Sequence, residues 1–366
     1  MAKNAVRVGL DIEQTALIGA QVRGGKQGNV LQAVAVRPLP EGLVFEGEVV
    51  DADGLAAELK AFWKQAGFGG KRFSVGIANQ KVVVRTLEMP VVDPKELQAA
   101  VEFQAQDAIP IPLDQAVLDY DVLGTFTDSE NVQKQRVLVV AAQRDMVEQF
   151  VAAGRKAGLT VENVDLQAFA LVRALAPRIA FLDQGAPAGA EATALVNIGT
   201  GTTNIVVVAG GEPRFTRVVN MGSEDIVKAL MEHRGVERAD ADRMRLEVGL
   251  SGGAVAAGDY EPDTVEEVRQ VADGAAEAIA DELRRSIDYY HSTSQDGGIA
   301  AVLLSGEGAL TRNACDYFAG ALHMPVTMGN PLQYIAENRS KMSQAELEVS
   351  APRLAIAVGL ALDDEE

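Results

Sequence analysis

The chain has 366 residues, which suits two ordinary domains or one deeply divided domain. Apolar residues make up 48% and charged residues 23% of the sequence, as in soluble globular proteins, so disordered and fibrous classes are excluded. Acidic residues outnumber basic residues by 52 to 33, and the net charge of −19 repels nucleic-acid phosphates and anionic lipids. We therefore expect no nucleic-acid partner.

Cysteine content and hydropathy indicate the compartment. Cys315 is the only cysteine, which excludes an intramolecular disulfide and a thiolate metal cluster. The first dozen residues carry charges and no apolar signal-peptide core. No window approaches the roughly 20 apolar residues that a membrane span needs. We expect a cytoplasmic chain without direct membrane insertion.

The beginning of the chain predicts a strand–turn–strand unit. Residues 6–20 form two strand-like runs separated by a polar turn at 11–14, and a third strand is predicted at 30–36. Apolar residues then recur at helical spacing from Asp53 to Ala66, and Gly67 ends this helix. Two β-branched runs follow, at 73–77 and 82–87.

Residues 90–163 form a different, α+β pattern. The residues Asp93-Pro94-Lys95-Glu96 are typical of a helix start, and Ile109-Pro110-Ile111-Pro112 ends the predicted helix. The remaining predicted elements are strands at 115–123 and 136–141 and a helix at 144–157. We interpret this segment as an insertion into the first half of the chain.

The strand–turn–strand unit returns in the second half, at 194–208. Aligning the two units places Asn197 opposite Asp11, an offset of 197 − 11 = 186 residues, or about half the chain. The repeat indicates two related lobes, although hairpins also recur by chance in α/β proteins. A capping-box pattern at Thr264–Glu267 then predicts a helix to about His291, roughly 40 Å long.

Three polar turns, at 11–15, 199–203 and 305–309, follow strand-like runs, and the second and third contain glycine. Such turns can present backbone N–H groups to phosphate oxygens. None of them is a Walker A loop or a dinucleotide fingerprint. Each turn alone is a weak signal, but three together, two of them related by the repeat, favour a phosphate-binding cleft.

These features resemble the actin-like ATPases, and the insertion resembles that of the type IV pilus assembly protein PilM family, which is related to the cell-division protein FtsA. The resemblance covers essentially the whole chain. Its motifs are Gln104–Pro112 (QAQDAIPIP), Val117–Gly124 (VLDYDVLG), Val137–Ala142 (VLVVAA), Ala157–Leu159 with Val164-Asp165, and Leu283–Tyr290 (LRRSIDYY).

The resemblance implies an α/β, two-lobed actin-like ATPase fold of duplicated ribonuclease-H-like lobes, with the α+β insertion in the first lobe. The lobes would be residues 1–185 and 186–366, the second containing a subdomain at about 222–298. A C-terminal helix at about 350–362 would pack back on the first lobe.

The resemblance also implies ATP and Mg²⁺ as cofactors. Asp11 would organise Mg²⁺ through water, and would be the catalytic carboxylate of an active site. The residues that would contact nucleotide are Asp11, Thr15, Gly199, Thr200, Gly201, Thr202, Thr203, Gly306, Glu307, Gly308 and Ala309.

As partner, the resemblance implies the short cytoplasmic N-terminal tail of the inner-membrane protein PilN. This tail would hold the chain at the cytoplasmic face of the inner membrane and join it to the pilus alignment and motor components. Self-association stays open. Strand edges suit an extended peptide, and the predicted groove residues are Val82, Val84, Leu87, Val117, Leu118, Tyr120 and Val122.

Three positions depart from the pattern that the resemblance implies. Glu13 replaces a glycine of the first loop, which adds crowding and like-charge repulsion toward a phosphate. Ile18 replaces a lysine, and Asn197 replaces an aspartate that would hold Mg²⁺ or polarise water. The sequence therefore predicts a degenerate site with weak nucleotide binding and little or no hydrolysis.

Two other functions compete with this adaptor hypothesis. One is an active actin-like ATPase or kinase that uses Asp11, which would need a general base that Asn197 cannot supply. The other is an FtsA-like filament protein with nucleotide-dependent assembly. Such proteins carry an amphipathic membrane-targeting tail, whereas this sequence ends in Ala361-Leu-Asp-Asp-Glu-Glu366. We favour the adaptor.

Overall fold

The computed structural model describes residues 6–25, 28–176, 191–253, 259–294 and 298–362. The strands are β1 Val6–Ile12, β2 Ala16–Arg23, β3 Asn29–Pro38, β4 Val44–Phe45, β5 Glu48–Val49, β6 Arg72–Ile77, β7 Val83–Pro90, β8 Ala116–Thr127, β9 Gln133–Gln143, β10 Thr160–Leu166, β11 Ala192–Ile198, β12 Thr203–Ala209, β13 Glu212–Val219, β14 Ile299–Ser305, β15 Val326–Met328 and β16 Ile335–Asn338. The helices are α1 Ala52–Ala66, α2 Leu97–Ala108, α3 Arg144–Lys156, α4 Gln167–Leu175, α5 Ser223–Arg234, α6 Arg238–Glu247, α7 Pro262–Thr293, α8 Ala314–Leu322, α9 Gln344–Ser350 and α10 Ala355–Ala361.

The chain divides into two compact units. One unit comprises Met1–Ala78 with Ala153–Glu366, and the other comprises Asn79–Ala152. The small unit overlaps the predicted insertion at 90–163: β7 pairs with β9 inside the small unit, whereas β10 pairs with β6 in the large one. The predicted lobe boundary at 185–186 lies outside the described residues, as do most of the connection predicted at 180–193 and a part of the connection predicted at 251–263.

The first sheet of the large unit has the strand order β10-β6-β1-β2-β3-β16. Strands β1 and β2 are antiparallel, and β6 runs parallel to β1. The centres of β1 and β2 are buried on both faces, which explains their nearly continuous apolar sequences. Helix α10 covers β1 so closely that a Cβ atom on Gly9 would lie 2.1 Å from the carbonyl oxygen of Ala357.

The second sheet repeats this topology, in the order β13-β12-β11-β14-β15. Strands β11 and β12 are antiparallel, and β14 runs parallel to β11. Asp11 pairs with Gly76 of β6, and Asn197 pairs with Ser305 of β14, so the two residues occupy equivalent positions. The half-length repeat in the sequence therefore corresponds to a repeat in topology.

Helix α7 has 32 residues and is about 48 Å long at 1.5 Å per residue. It begins at Pro262, which has no N–H to donate and suits the first helical position. The predicted start at Thr264 is wrong, because Thr264 already lies in the first turn. Nine apolar side chains, including Val268, Ile279 and Leu283, bury one face of α7 in the core of the second sheet.

The small unit is a three-stranded sheet in the order β7-β9-β8, covered by α2. Val101 and Ala105 of α2 pack with Val137 and Val139 of β9. Helix α2 begins at Leu97 instead of at Pro94, because Asp93 accepts the N–H of Lys95 in a turn at 2.9 Å.

Across the described ranges, no helix is both long and apolar enough to span a bilayer.

Candidate nucleotide cleft

The three predicted loops meet at the ends of β1, β11 and β14. The carboxylate of Glu13, in the first loop, accepts hydrogen bonds from Thr200 in the second. The third loop packs against the end of β11, directly before the second loop, because a Cβ atom on Gly306 would lie 2.3 Å from the carbonyl oxygen of Ile198. The topology thus brings together the three polar turns that the sequence singled out.

Asp11, at the end of β1, is 1% exposed. Its Oδ1 atom accepts a hydrogen bond of 2.9 Å from Nε2 of Gln167 on α4, and Oε1 of Gln167 accepts one of 2.8 Å from Nδ2 of Asn204 on β12. Burial, with the nearby charge of Glu13, raises the pKa of Asp11 well above its usual range. The carboxylate is therefore held by a chain of amides and has no cationic partner among these contacts.

Glu13 links the first loop to the second. Its Oε2 atom accepts hydrogen bonds from the backbone N–H of Thr200 at 2.8 Å and from the Thr200 hydroxyl at 3.1 Å. The Thr200 hydroxyl also accepts the backbone N–H of Thr15 at 3.3 Å. Burial raises the pKa of Glu13 to about 7, although the hydrogen bonds from Thr200 lower it.

The glycines of the second loop lie directly against first-loop side chains. A Cβ atom on Gly199 would lie 2.4 Å from Oε1 of Glu13, and one on Gly201 would lie 2.3 Å from Oε1 of Gln14. Thr203 is fully buried, and its hydroxyl donates to the carbonyl of Met221 at 2.8 Å. The side chains of Glu13 and Gln14 therefore lie directly against the backbone of the second loop.

Helix α5 supports the second loop from behind. The N–H of Ser223 donates to the carbonyl of Gly199, and the N–H of Glu224 donates to the carbonyl of Thr200, each at 2.9 Å. Because a trans peptide points its C=O and N–H in opposite directions, the peptide between Gly199 and Thr200 turns its N–H toward Glu13. The helix end therefore orients the donor that Glu13 uses.

In the third loop, Gly306 and Gly308 serve packing. A Cβ atom on Gly308 would lie 2.3 Å from Cγ2 of Ile198, and Gly306 has φ +89°. Ala309 is 2% exposed. The Glu307 carboxylate forms ion pairs with Arg245 at 2.8 Å and Arg353 at 3.2 Å.

Arg245, on α6, is itself 2% exposed. Besides the Glu307 carboxylate, it donates to the carbonyl of Glu307 at 3.0 Å and to the hydroxyl of Thr311 at 3.1 Å. One buried side chain therefore determines the shape of the third loop. The sequence analysis missed Arg245. An arginine on the same apolar helix face as Ala241, Met244 and Val248 could have indicated a buried ion pair, because arginine is rarely buried without a partner.

Two buried amide atoms on β11 and β12 have no hydrogen-bond partner among the residues that the structure describes. They are Nδ2 of Asn197 and Oδ1 of Asn204, which belong to residues paired across β11 and β12. The Oδ1 atom of Asn197 accepts from the hydroxyl of Ser305 at 3.2 Å. The sequence analysis did not single out Asn204 or Gln167 as site residues, because neither belongs to one of its motifs.

Farther along the cleft, polar contacts join β4 and β5 to the region of α5 and α6. Arg238 forms an ion pair with Glu41 at 2.7 Å and donates to Glu224 at 2.8 Å. Nδ2 of Asn220 donates to Glu46 at 2.7 Å. In the part of the chain that the structure describes, no group of three or more His, Cys, Asp or Glu side chains could hold a metal ion. The sequence-based prediction therefore gives Mg²⁺ a single carboxylate, that of Asp11.

The seven predicted groove residues lie in or beside the sheet of the small unit, but not together. Strands β7 and β8 are its two edges, separated by β9. The face covered by α2 contains Leu87, Leu118 and Tyr120, whereas the pairing register places Val84 and Val117 on the opposite face. Val117 and Val122, on β8, are each 38% exposed.

The duplicated sheets and the loops between them define a protein of the two-lobed actin-like ATPase fold. The family profile described as Type IV pilus assembly protein PilM matches residues 9–365. The chain therefore belongs to the PilM family.

Individual relatives agree with this assignment. The solved structure of a PilM-PilN type IV pilus biogenesis complex is similar over 98% of both chains, with TM-score 0.79 and 24% identity. MreB 5 of Spiroplasma citri bound to AMPPNP is similar over 98% of this chain and 95% of that one, with TM-score 0.50 and 11% identity. FtsA of Bacillus subtilis (strain 168) is 22% identical over 270 residues, which are 68% of this chain but 59% of FtsA. FtsA is thus a distant relative.

Proposed function

We propose that the chain is the cytoplasmic PilM-type adaptor of a type IV pilus inner-membrane assembly complex. It binds the cytoplasmic N-terminal tail of a PilN-like membrane protein, and its nucleotide cleft is degenerate. Family membership over residues 9–365, together with the similarity to a PilM-PilN complex, supports this proposal. The tail holds the adaptor at the cytoplasmic face of the inner membrane, where it reaches the alignment and motor components.

The edge strand β8 is suited to an added peptide strand. Unpaired N–H and C=O groups along a sheet edge can bind an extended peptide, and natural edges are often blocked by lysine or proline. Neither residue occurs in β8. Val117 and Val122 offer apolar contacts, and Asp119 and Asp121 between them are exposed, which favours an apolar tail carrying Lys or Arg.

The degenerate cleft is supported by the same residues that the sequence marked as departures. The Glu13 carboxylate uses the N–H of Thr200, and Asn197 brings an amide where a carboxylate would hold hydrated Mg²⁺. The related fold of MreB 5 was solved with AMPPNP bound, yet these contacts favour weak MgATP binding without turnover in this chain.

A peptide titration tests the adaptor function. A synthetic PilN-like N-terminal tail should bind the full chain in calorimetry, and the double variant Val117→Arg with Val122→Arg should weaken binding by about tenfold or more. Val151→Arg is the matched control, because Val151 is 40% exposed but lies on α3. Equal loss in the control, or no loss in the β8 variant, would remove β8 from the docking site. No binding to the wild-type chain would reject the adaptor function.

A further inference from the structure

The second loop has the donor arrangement of an anion site. The N–H and the hydroxyl of Thr200 both point at one oxygen, and the peptide that carries this N–H is held from behind by the N–H of Ser223, which donates to the carbonyl of Gly199. A backbone N–H and a hydroxyl that converge on one point can bind a phosphate or carboxylate oxygen. The group that they bind in this chain is the carboxylate of Glu13.

The contact with Glu13 is specific. Its side chain is 5% exposed, and it comes from the other half of the chain, 187 residues from Thr200. Its Oε1 and Oε2 atoms would lie 2.4 and 2.6 Å from a Cβ atom on Gly199, so only a glycine admits the carboxylate there. A buried carboxylate is tolerated when such donors satisfy it.

We propose that the second loop is an anion-binding site whose resident ligand is the Glu13 carboxylate of the same chain. This carboxylate joins the two lobes at the loops, and any phosphate must displace it. The inference rests on the proposed degenerate cleft and gives its cause: the phosphate site is retained but internally occupied. The contacts Arg238–Glu41 and Asn220–Glu46 join the lobes at a second point. A separation of the lobes that accompanied displacement of Glu13 would have to break these two contacts as well.

Inorganic pyrophosphate and acetate test the proposal on the full chain. Glu13→Ala should bind pyrophosphate about tenfold or more tightly than the wild-type chain in calorimetry. It should also lower Tm, and acetate should restore part of that loss by occupying the vacated site. Glu58→Ala is the control, because it removes a partly buried carboxylate that pairs with Arg37 at 2.9 Å, away from the loops. It should show neither effect.

Unchanged pyrophosphate binding in Glu13→Ala, or an acetate effect equal to that in Glu58→Ala, overturns the proposal. Glu13→Gln keeps the side-chain volume and serves where Glu13→Ala does not fold. Its loss of charge should shift the amide proton resonance of Thr200 upfield, because the hydrogen bond to a carboxylate is weakened. A Thr200 resonance that does not move also overturns the proposal.

These outcomes are separable from those of the proposed function. If the wild-type chain does not bind the PilN-like tail but Glu13→Ala gains pyrophosphate binding, the adaptor function fails and the resident carboxylate stands. If the tail binds but Glu13→Ala does not gain pyrophosphate binding, the adaptor function stands and the resident carboxylate is rejected. Wild-type binding of MgATP as tight as that of Glu13→Ala would reject both the degenerate cleft and its proposed cause.

Discussion

Nε2 of Gln167 donates a hydrogen bond of 2.9 Å to Oδ1 of Asp11, which lies 156 residues earlier in the chain. The same amide accepts from Asn204 through its oxygen, so Gln167 connects a strand of the first sheet to a strand of the second. Both partners are at most 1% exposed. Because these groups are buried, water cannot replace a lost hydrogen bond when one of the side chains is removed.

Gln167→Leu should therefore destabilise the fold by about 1–3 kcal/mol, because it leaves Asp11 and Asn204 without their amide partner in a buried site. Urea unfolding followed by circular dichroism measures this free energy. Gln65→Leu is the matched control, since Gln65 bonds Arg37 in an exposed position and should cost less than about 0.5 kcal/mol. An equal loss of unfolding free energy in the two variants would show that the buried hydrogen bonds of Gln167 stabilise the fold no more than an exposed one.

Arg245→Leu should destabilise the fold by about 3–5 kcal/mol, because Glu307 would lose a fully buried cationic partner. Arg243→Leu changes the same helix two residues earlier, where the arginine is 58% exposed and pairs with Asp240. It should cost at most about 1 kcal/mol. Denaturant unfolding of both variants gives the difference, and a small cost for Arg245→Leu would mean that Arg353 alone holds Glu307.

Gly359→Ala should destabilise the fold by about 3 kcal/mol, because the added Cβ atom would meet backbone that cannot move aside. That atom would lie 1.9 Å from the carbonyl oxygen of Ala170, where α10 crosses α4. Gly274→Ala, in α7, meets nothing within 4 Å and should stabilise by about 0.5–1 kcal/mol through helix propensity. Thermal unfolding should show a lower Tm for Gly359→Ala and a higher Tm for Gly274→Ala. A change of Tm in the same direction for both variants would argue against close packing of α10.

The double variant Glu13→Gly with Asn197→Asp should raise MgATP affinity by about tenfold or more, because it removes a carboxylate from the second loop and adds one where hydrated Mg²⁺ binds. Calorimetric titration measures the affinity. Asn197→Asp alone should gain little, since Glu13 still occupies the Thr200 N–H. Unchanged affinity in the double variant would contradict our account of both loops.

Periodicity and spacing in the sequence determined the half-length repeat, because β1–β2 and β11–β12 are local hairpins whose apolar runs reflect burial on both faces. The same local signals located α1 and the strands of the insertion, whereas the family resemblance identified Asp11, Glu13 and Asn197 as the unusual cleft residues. The predicted helix starts were wrong: Thr264 and Asp93 carry side chains that can cap a helix, yet the helices begin at other residues.

Tertiary structure alone decided which groups meet. Glu13 and Thr200 are 187 residues apart, and no local pattern indicates that the carboxylate fits against Gly199. The same is true of Gln167 with Asp11 and of Arg245 with Glu307, whose partners lie in other elements. Strand order also separated the predicted groove residues, because β9 lies between β7 and β8. Local sequence encodes burial and turns, whereas contacts across the cleft depend on how the two sheets pack, and packing is a property of the whole fold.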